Sequence, residues 1–225
     1  MTLNLGAGLL FDIDGTLMES DPIHLAAFNQ VFGPYGHVID HEIYAKHIQG
    51  FANEAIAAHF IPGESLDRRK QILDGKEALF RELVATSIEP LAGLMDLLEW
   101  ARSHAIPMAA VTNAPMANAD LIIDGIKARS YFSHIISADD LAQGKPHPLP
   151  YLTGLSHLNA VAANSVAFED SRTGIASATG AGITTIGLAT GISESELRKA
   201  GATLATPDYT NPAVLDLIKS KVLAA

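Results

Sequence analysis

The stretch Leu9-Leu10-Phe11-Asp12-Ile13-Asp14-Gly15-Thr16-Leu17 decides how the rest of the chain is read. Residues 7–11 are almost entirely apolar, as in a strand buried on both faces in the middle of a parallel sheet. The run then ends in acid. Asp12 and Asp14 flank a single residue where the strand gives way to Gly15-Thr16, so the chain turns there, and open α/β sheets bind ligands at that carboxyl end of their strands. Two carboxylates this close repel each other and need a cation, a shared proton or a hydrogen-bonding network. An isolated Asp-x-Asp-Gly is equally what an ordinary strand-to-turn junction requires, so the later chain decides between the two.

A chain of 225 residues buries a substantial core and has room for one large domain or a domain with a sizeable insert. Its formal net charge of -10 argues against nucleic acid or an acidic membrane surface as partner, since both are held through clustered Lys and Arg. A phosphorylated small molecule needs only a local positive spot. The absence of cysteine removes disulfides and thiolate chemistry and fits a reducing cytoplasm. Residues 1–8 carry no basic residue ahead of an apolar stretch, Asp12 and Asp14 come too early for a signal peptide, and no run approaches bilayer-spanning length. The expectation is a cytoplasmic protein.

Between residues 21 and 86 apolar residues recur at helical spacing and no buried strand stands out. Asp21-Pro22 reads as a helix start, with Asp as cap and Pro at the first helical position. Further helices are expected over 40–47, 52–59 and 65–84, the last rich in Lys, Arg and Glu along one side. From residue 94 onward helix and strand alternate: helices over 94–103, 117–127, 148–157 and 171–181, strands over 106–111, 134–137, 165–168 and 183–188. Repeated βα units build a parallel sheet with helices on both faces, a doubly wound α/β fold. The expected organisation is an α/β core over 1–17 and 88–225 interrupted by a helical domain over 18–87, with hinges near 17–20 and 84–89.

Parallel strands place their tips on one edge. Asp12 and Asp14 follow the first strand, Thr112 and Asn113 the second, Glu169 and Asp170 the one beginning at Ser165, and Lys145 lies in Gly144-Lys145-Pro146-His147-Pro148 ahead of a helix. Carboxylates with backbone carbonyls and waters are the ligand set of a hard, octahedral Mg²⁺. With the repulsion removed, Asp12 can attack phosphorus and form an aspartyl-phosphate. Lys145 would balance charge on the other side, while Thr16, Thr112 and Asn113 donate to phosphoryl oxygens. Asp14 would protonate the leaving alcohol and then deprotonate the hydrolytic water.

FDIDGTL, VTNA, GKPHP and FEDS, in this order, resemble the four motifs of the haloacid dehalogenase superfamily, with a helical insert where that superfamily's first class of cap sits. The resemblance implies a doubly wound core, Asp12 as nucleophile, Asp14 as acid and base, and Lys145 stabilising nucleophile and phosphoryl group. It further implies Thr112 binding phosphate, Gly15 and Thr16 in the substrate loop, and Mg²⁺ held by Asp12, the backbone carbonyl of Asp14 and Asp170, with Glu169 assisting. Dehalogenating members lack an acid where this chain has Asp14. The branch most resembled is that of β-phosphoglucomutase and phosphoglycolate phosphatase, whose caps carry a histidine near the acid/base, as His24 would be here.

A Mg²⁺-dependent phosphatase of a small phosphorylated metabolite, monomeric or a small homo-oligomer, is the resulting expectation, with a sugar-phosphate mutase and a non-catalytic phospholigand-binding protein as the other readings. A mutase must grip a second phosphate, and where β-phosphoglucomutase carries an arginine this chain offers Asn53 in Gly50-Phe51-Ala52-Asn53. Lys76 and Arg81 are candidate substrate cations, but their spacing to Glu77 and Glu82 also fits a solvated helix face. Arg172 is expected to brace the acidic cluster or the sheet edge, and Trp100 to pack in the core.

Overall fold

The computed structural model describes residues 2–85 and 88–224. The first strand, β1 (Gly8–Phe11), is buried along its whole length and lies at the centre of a six-stranded sheet of order β3-β2-β1-β4-β5-β6, in which β2 is Met108–Thr112, β3 His134–Ser137, β4 Ser165–Glu169, β5 Thr184–Leu188 and β6 Leu204–Thr206. Every pairing is parallel. The strand order reverses direction between β1 and its neighbours β2 and β4, which is where ligands bind in such sheets.

Side chains alternate across each strand with period two, and both faces are apolar. Leu9 and Phe11 of β1, with Met108, Ala110, Val166 and Phe168, enter one core. Leu10, with Ala109, Val111 and Ala167, enters the other, where Tyr151 and Ala178 pack. The first core is closed by α5 (Leu94–Ser103), α6 (Met116–Gly125) and α10 (Pro212–Val222) and the second by α7 (Leu149–Leu158) and α8 (Arg172–Gly180). Trp100 packs against the first core, half-buried.

Between β1 and α5 come α1 (Asp21–Phe32), α2 (His41–His47), α3 (Asn53–Phe60) and α4 (Leu66–Val84). They share an apolar centre of their own, including Phe28, Phe32, Tyr44, Ile56, Phe60 and Leu73. Ala27, Phe80 and Val84, on the flanks of α1 and α4, instead join the sheet-side core. The second expected hinge, 84–89, includes residues 86–87, which lie outside the described residues.

Two features depart from the expectation. Ser20, not Asp21, occupies the cap position of α1, and it makes no side-chain cap bond, because its hydroxyl donates to Asp14 Oδ1 at 2.8 Å. Beyond residue 188 the sheet continues into α9 (Glu194–Ala200), β6 and α10. The start of α9 carries a complete capping box between Ser193 and Glu196.

Candidate active site

β1 ends with Phe11, and the Asp12 amide donates to Phe168 O of β4 at 3.0 Å, so the first acid is fixed by the sheet itself. Lys145 reaches it from the loop before α7 and is 4 % exposed. Its ammonium donates to Asp12 Oδ1 at 2.6 Å, Glu169 Oε1 at 2.6 Å and Val111 O at 2.8 Å, which occupies all three of its protons. Glu169 also accepts from Tyr151 Oη at 2.7 Å. These contacts draw Asp12, Lys145 and Glu169 from β1, the α7 loop and β4 into one cluster.

Asp170 completes it. One carboxylate oxygen from each of Asp12, Glu169 and Asp170 lies within 4.8 Å of the other two, and all three residues are buried. Asp12 Oδ2 is buried with no hydrogen-bond partner. Burial pushes the Asp12 carboxyl up to about 8, with Lys145 pulling it back and Glu169 and Asp14 pushing it further. Burial likewise raises Asp170 well above the carboxylate range, helped by Asp21, Asp12 and Glu169. Lys145 goes the other way. Burial alone would lower it, but Asp12 and Glu169 outweigh burial and hold it above its usual value. A crowded set of hard oxygen donors with an unpartnered carboxylate oxygen fits a divalent cation of the Mg²⁺ type.

Gly15 explains part of this crowding. Its φ is +75°, and a Cβ there would come within 2.2 Å of Asp170 Oδ2, so both conformation and space require glycine. Asp14 turns toward the helical insert. Its Oδ1 accepts from Ser20 Oγ and from His24 Nε2 at 3.0 Å. Burial would raise its pKa, yet His24, Ser20 and Lys76 together bring it below the usual value.

His24 is stacked flat on Phe80, ring centroids 3.8 Å apart, and its Nδ1 faces Lys76 Nζ at 2.8 Å. With Nδ1 accepting from the ammonium, Nε2 is left to carry the proton donated to Asp14. Lys76 is not on a solvated face: it is 2 % exposed and also donates to Glu77 Oε1 at 3.0 Å. Glu77 accepts from Asn53 Nδ2 at 2.8 Å and from Asn118 Nδ2 of α6 at 2.6 Å. Arg81 donates to Asn118 Oδ1 at 2.9 Å in place of the expected pairing with Glu82. The pattern of charges on α4 suggested a wet face because α6 and α1, which cover that face, are distant in sequence.

Between the two clusters lies a cavity of about 70 Å³, bordered by Asp12, Asp14, Thr112, Lys145 and Asp170 from the core and by His24, Asn53 and Lys76 from the insert. That is room for roughly five waters. The loop after α2 closes it: Gln49 Nε2 donates to Asp170 Oδ2 at 2.8 Å and to Asp21 Oδ2 at 2.9 Å, and Gly50 O accepts from Asn113 Nδ2.

Several expected placements are corrected. Gly15 and Thr16 do not border the cavity; Thr16 is fully buried, its backbone carbonyl bonded to Tyr209 Oη. Asn113 borders it, but its amide is engaged by Gly50 O, Lys145 O and Lys145 N, so it braces the lysine loop and is not a free phosphate donor. Glu169 sits behind Lys145 and outside the lining. Arg172 contacts Ala45 O and Glu196, away from the acids. Asp21, Gln49, Tyr44 and Ser171 border the cavity without having been singled out for it; the sequence cues were the Asp21-Pro22 pair, which fits a helix start equally well, and the place of Ser171 in FEDS.

This fold and edge cluster define a hydrolase of a known kind. The chain belongs to the haloacid dehalogenase-like hydrolases, whose family model matches residues 9–188. It is 32 % identical over 183 residues to validoxylamine A 7'-phosphate phosphatase of Streptomyces hygroscopicus subsp. limoneus, covering 80 % of this chain and 84 % of that one. It is 31 % identical over 180 residues to fructose-1-phosphate phosphatase of Escherichia coli K12, covering 79 % and 93 %. A crystal structure of a CbbY mutant from Rhodobacter sphaeroides in complex with xylulose-(1,5)bisphosphate superposes with a TM-score of 0.81 at 27 % identity, covering 92 % and 96 %. No helix among the described residues is long and apolar enough to cross a membrane.

Proposed function

We propose that this hydrolase is a Mg²⁺-dependent phosphatase of small phosphomonoesters, sugar phosphates foremost, acting through an aspartyl-phosphate on Asp12. The observation that carries the reading is the convergence of Asp12, with one carboxylate oxygen unpartnered, on Lys145, Glu169 and Asp170 beside a cavity. The names of the phosphatases it resembles support the substrate class.

Asp12 and Asp170 would hold the metal, with the Asp14 backbone carbonyl as a further ligand and Glu169, whose carboxylate lies beside theirs, assisting. Bound there, Mg²⁺ would neutralise the acids and the phosphoryl oxygens. Lys145 orients Asp12 and opposes the rise in its pKa that burial causes. A carboxylate oxygen of Asp12 forms a bond to phosphorus as the bond to the substrate's alkoxy oxygen breaks, and Asp14 delivers a proton to that oxygen. Water then attacks the phosphorus, loses its proton to Asp14, and phosphate leaves with Asp12 restored. His24, held by Lys76 and Phe80, orients Asp14 and stabilises its anion, which is the form the second step uses.

Residues 18–87 act as a cap. Gln49 and Gly50 of that cap reach across the cavity to Asp170 and Asn113, and opening of the cap would break these contacts and closing would re-form them. A mutase would hold a second phosphate on the cap, and Asn53, engaged by Glu77, supplies no charge for it. Asp12→Asn is expected to lower hydrolysis of p-nitrophenyl phosphate by at least about 10³-fold, and chelation of Mg²⁺ to abolish it in the parent protein. Normal rates in either assay would sink the reading.

A further inference from the structure

We propose that the cap side of the cavity selects phosphomonoesters whose leaving group is uncharged, a sugar, polyol or simple alcohol, and discriminates against a second phosphate or a carboxylate. The inference rests on the phosphatase reading above and narrows its substrate class. It follows from a census of charge on the cap wall. Among the described residues, the charged cap groups bordering the cavity are Asp21, Lys76 and Glu77, with His24 beside them.

Lys76 is the one cap ammonium there, and it is not available to a ligand. Two of its contacts are Glu77 Oε1 at 3.0 Å and His24 Nδ1 at 2.8 Å, and the Nζ also lies 4.2 Å from the centre of the Phe28 ring. Burial lowers its pKa further, with Glu77 and Asp14 opposing. Asn53 turns an amide proton to Glu77, and Gln49 turns its protons to Asp21 and Asp170. The remaining cap wall is apolar, with Phe28, Ile48 and Ile56.

Asp21 and Glu77 thus set two carboxylates on that wall against the one ammonium of Lys76, which Glu77 already pairs, so the wall offers a second anion no unpaired positive charge. On the core side, Lys145 is already bonded to Asp12 and Glu169 and can serve only the reacting phosphoryl group. Hydroxyl groups donate to carboxylates, so a polyol meets acceptors that suit it. A second anion meets like charge among buried side chains, where repulsion is stronger than in bulk water. CbbY, by contrast, was crystallised with a bisphosphate, so the shared fold leaves this choice to the cap wall.

The test is steady-state hydrolysis at saturating Mg²⁺ of two matched pairs: fructose 1-phosphate against fructose 1,6-bisphosphate, and ethylene glycol monophosphate against 2-phosphoglycolate. The neutral-tailed member is expected to have the higher kcat/KM by on the order of 10- to 100-fold, expressed mainly in KM. Glu77→Gln, which frees Lys76, and Asn53→Arg, which adds a cation without removing the Glu77 bond to Asn118, should each shrink the ratio at least about fivefold. Equal or reversed efficiencies in the parent protein overturn the inference while leaving the phosphatase reading intact. So does a preference that neither variant moves. Failure to hydrolyse every member, along with p-nitrophenyl phosphate, overturns the phosphatase reading itself and the selectivity with it.

Discussion

Lys145 and Lys76 are both almost wholly buried, at 4 % and 2 % exposure, yet the protein treats their charges in opposite ways. Desolvation disfavours the ammonium in each case. At Lys145 two carboxylates and a carbonyl take the three N–H groups, with the centre of the Tyr151 ring 5.2 Å from the Nζ, and its pKa rises. At Lys76 one carboxylate, an imidazole nitrogen and an aromatic face surround it, and its pKa falls. The lesson is that burial does not set the outcome; the number of anions that share the proton does. Lys145 is a fixed positive charge around which the acidic edge is assembled, whereas Lys76 is a weakly held one that positions an imidazole.

The comparison breaks if the two lysines respond alike to removal. Lys145→Ala should abolish turnover, with a loss of at least about 10³-fold, and strand Asp12 and Glu169 as buried unpaired acids at a cost of about 3–5 kcal/mol. Thermal unfolding with and without Mg²⁺ separates the two effects, since the cation recovers part of the stability and none of the rate. Lys76→Met, which keeps the apolar stem, should cost about tenfold in kcat and less stability than Lys145→Ala. A larger loss at Lys76 would invert the argument.

Alkaline pH sharpens the contrast at smaller scale. The folded pKa of Lys76 lies below its usual 10.5, so the folded state gains stability as pH rises toward that value. The folded pKa of Lys145 lies above 10.5, so its contribution is complete below that pH and is lost only beyond it. As pH rises toward 10.5 the Tm gap between the parent and Lys76→Met should therefore widen in the parent's favour. In the acid range the sign comes from the carboxyls. Asp12, raised from 3.8 to about 8, and Asp170, also raised, stabilise the metal-free fold below about pH 4 and cease to do so as pH climbs to about 8. Added Mg²⁺ should then raise Tm more at pH 8 than at pH 5, because fewer protons must leave. A shift that shrinks with rising pH would show that these acids do not hold the ion.

The core was legible because its signals are local. An apolar run ending in Asp12, and strands ending in Thr112 and Glu169, place their residues on one edge by topology alone, and the family resemblance of their motifs supplied the order of roles. The insert was less legible because its key contacts cross elements. Lys76 and Glu77 look like a solvated pair on α4, and only the approach of Phe28, Phe80 and Asn118 turns them into a buried network. Gln49 lies between helices with no motif around it, yet it spans Asp21 and Asp170. β6 is three residues long, too short to register as a periodic pattern. The capping box at Ser193 was there to be read and pointed to α9.

The position of β1 has a consequence for synthesis. Leu9 lies beside Met108 on one side and Val166 on the other, so the strand that leads into Asp12 is made before both its neighbours. While the helices of the insert can form from local contacts as they emerge from the ribosome, this strand waits, unpaired and apolar, until β4 has been translated. A polypeptide interrupted anywhere before that point, even one that already has Lys145, would lack Glu169 and Asp170, so the acidic edge is incomplete until β4 has been made.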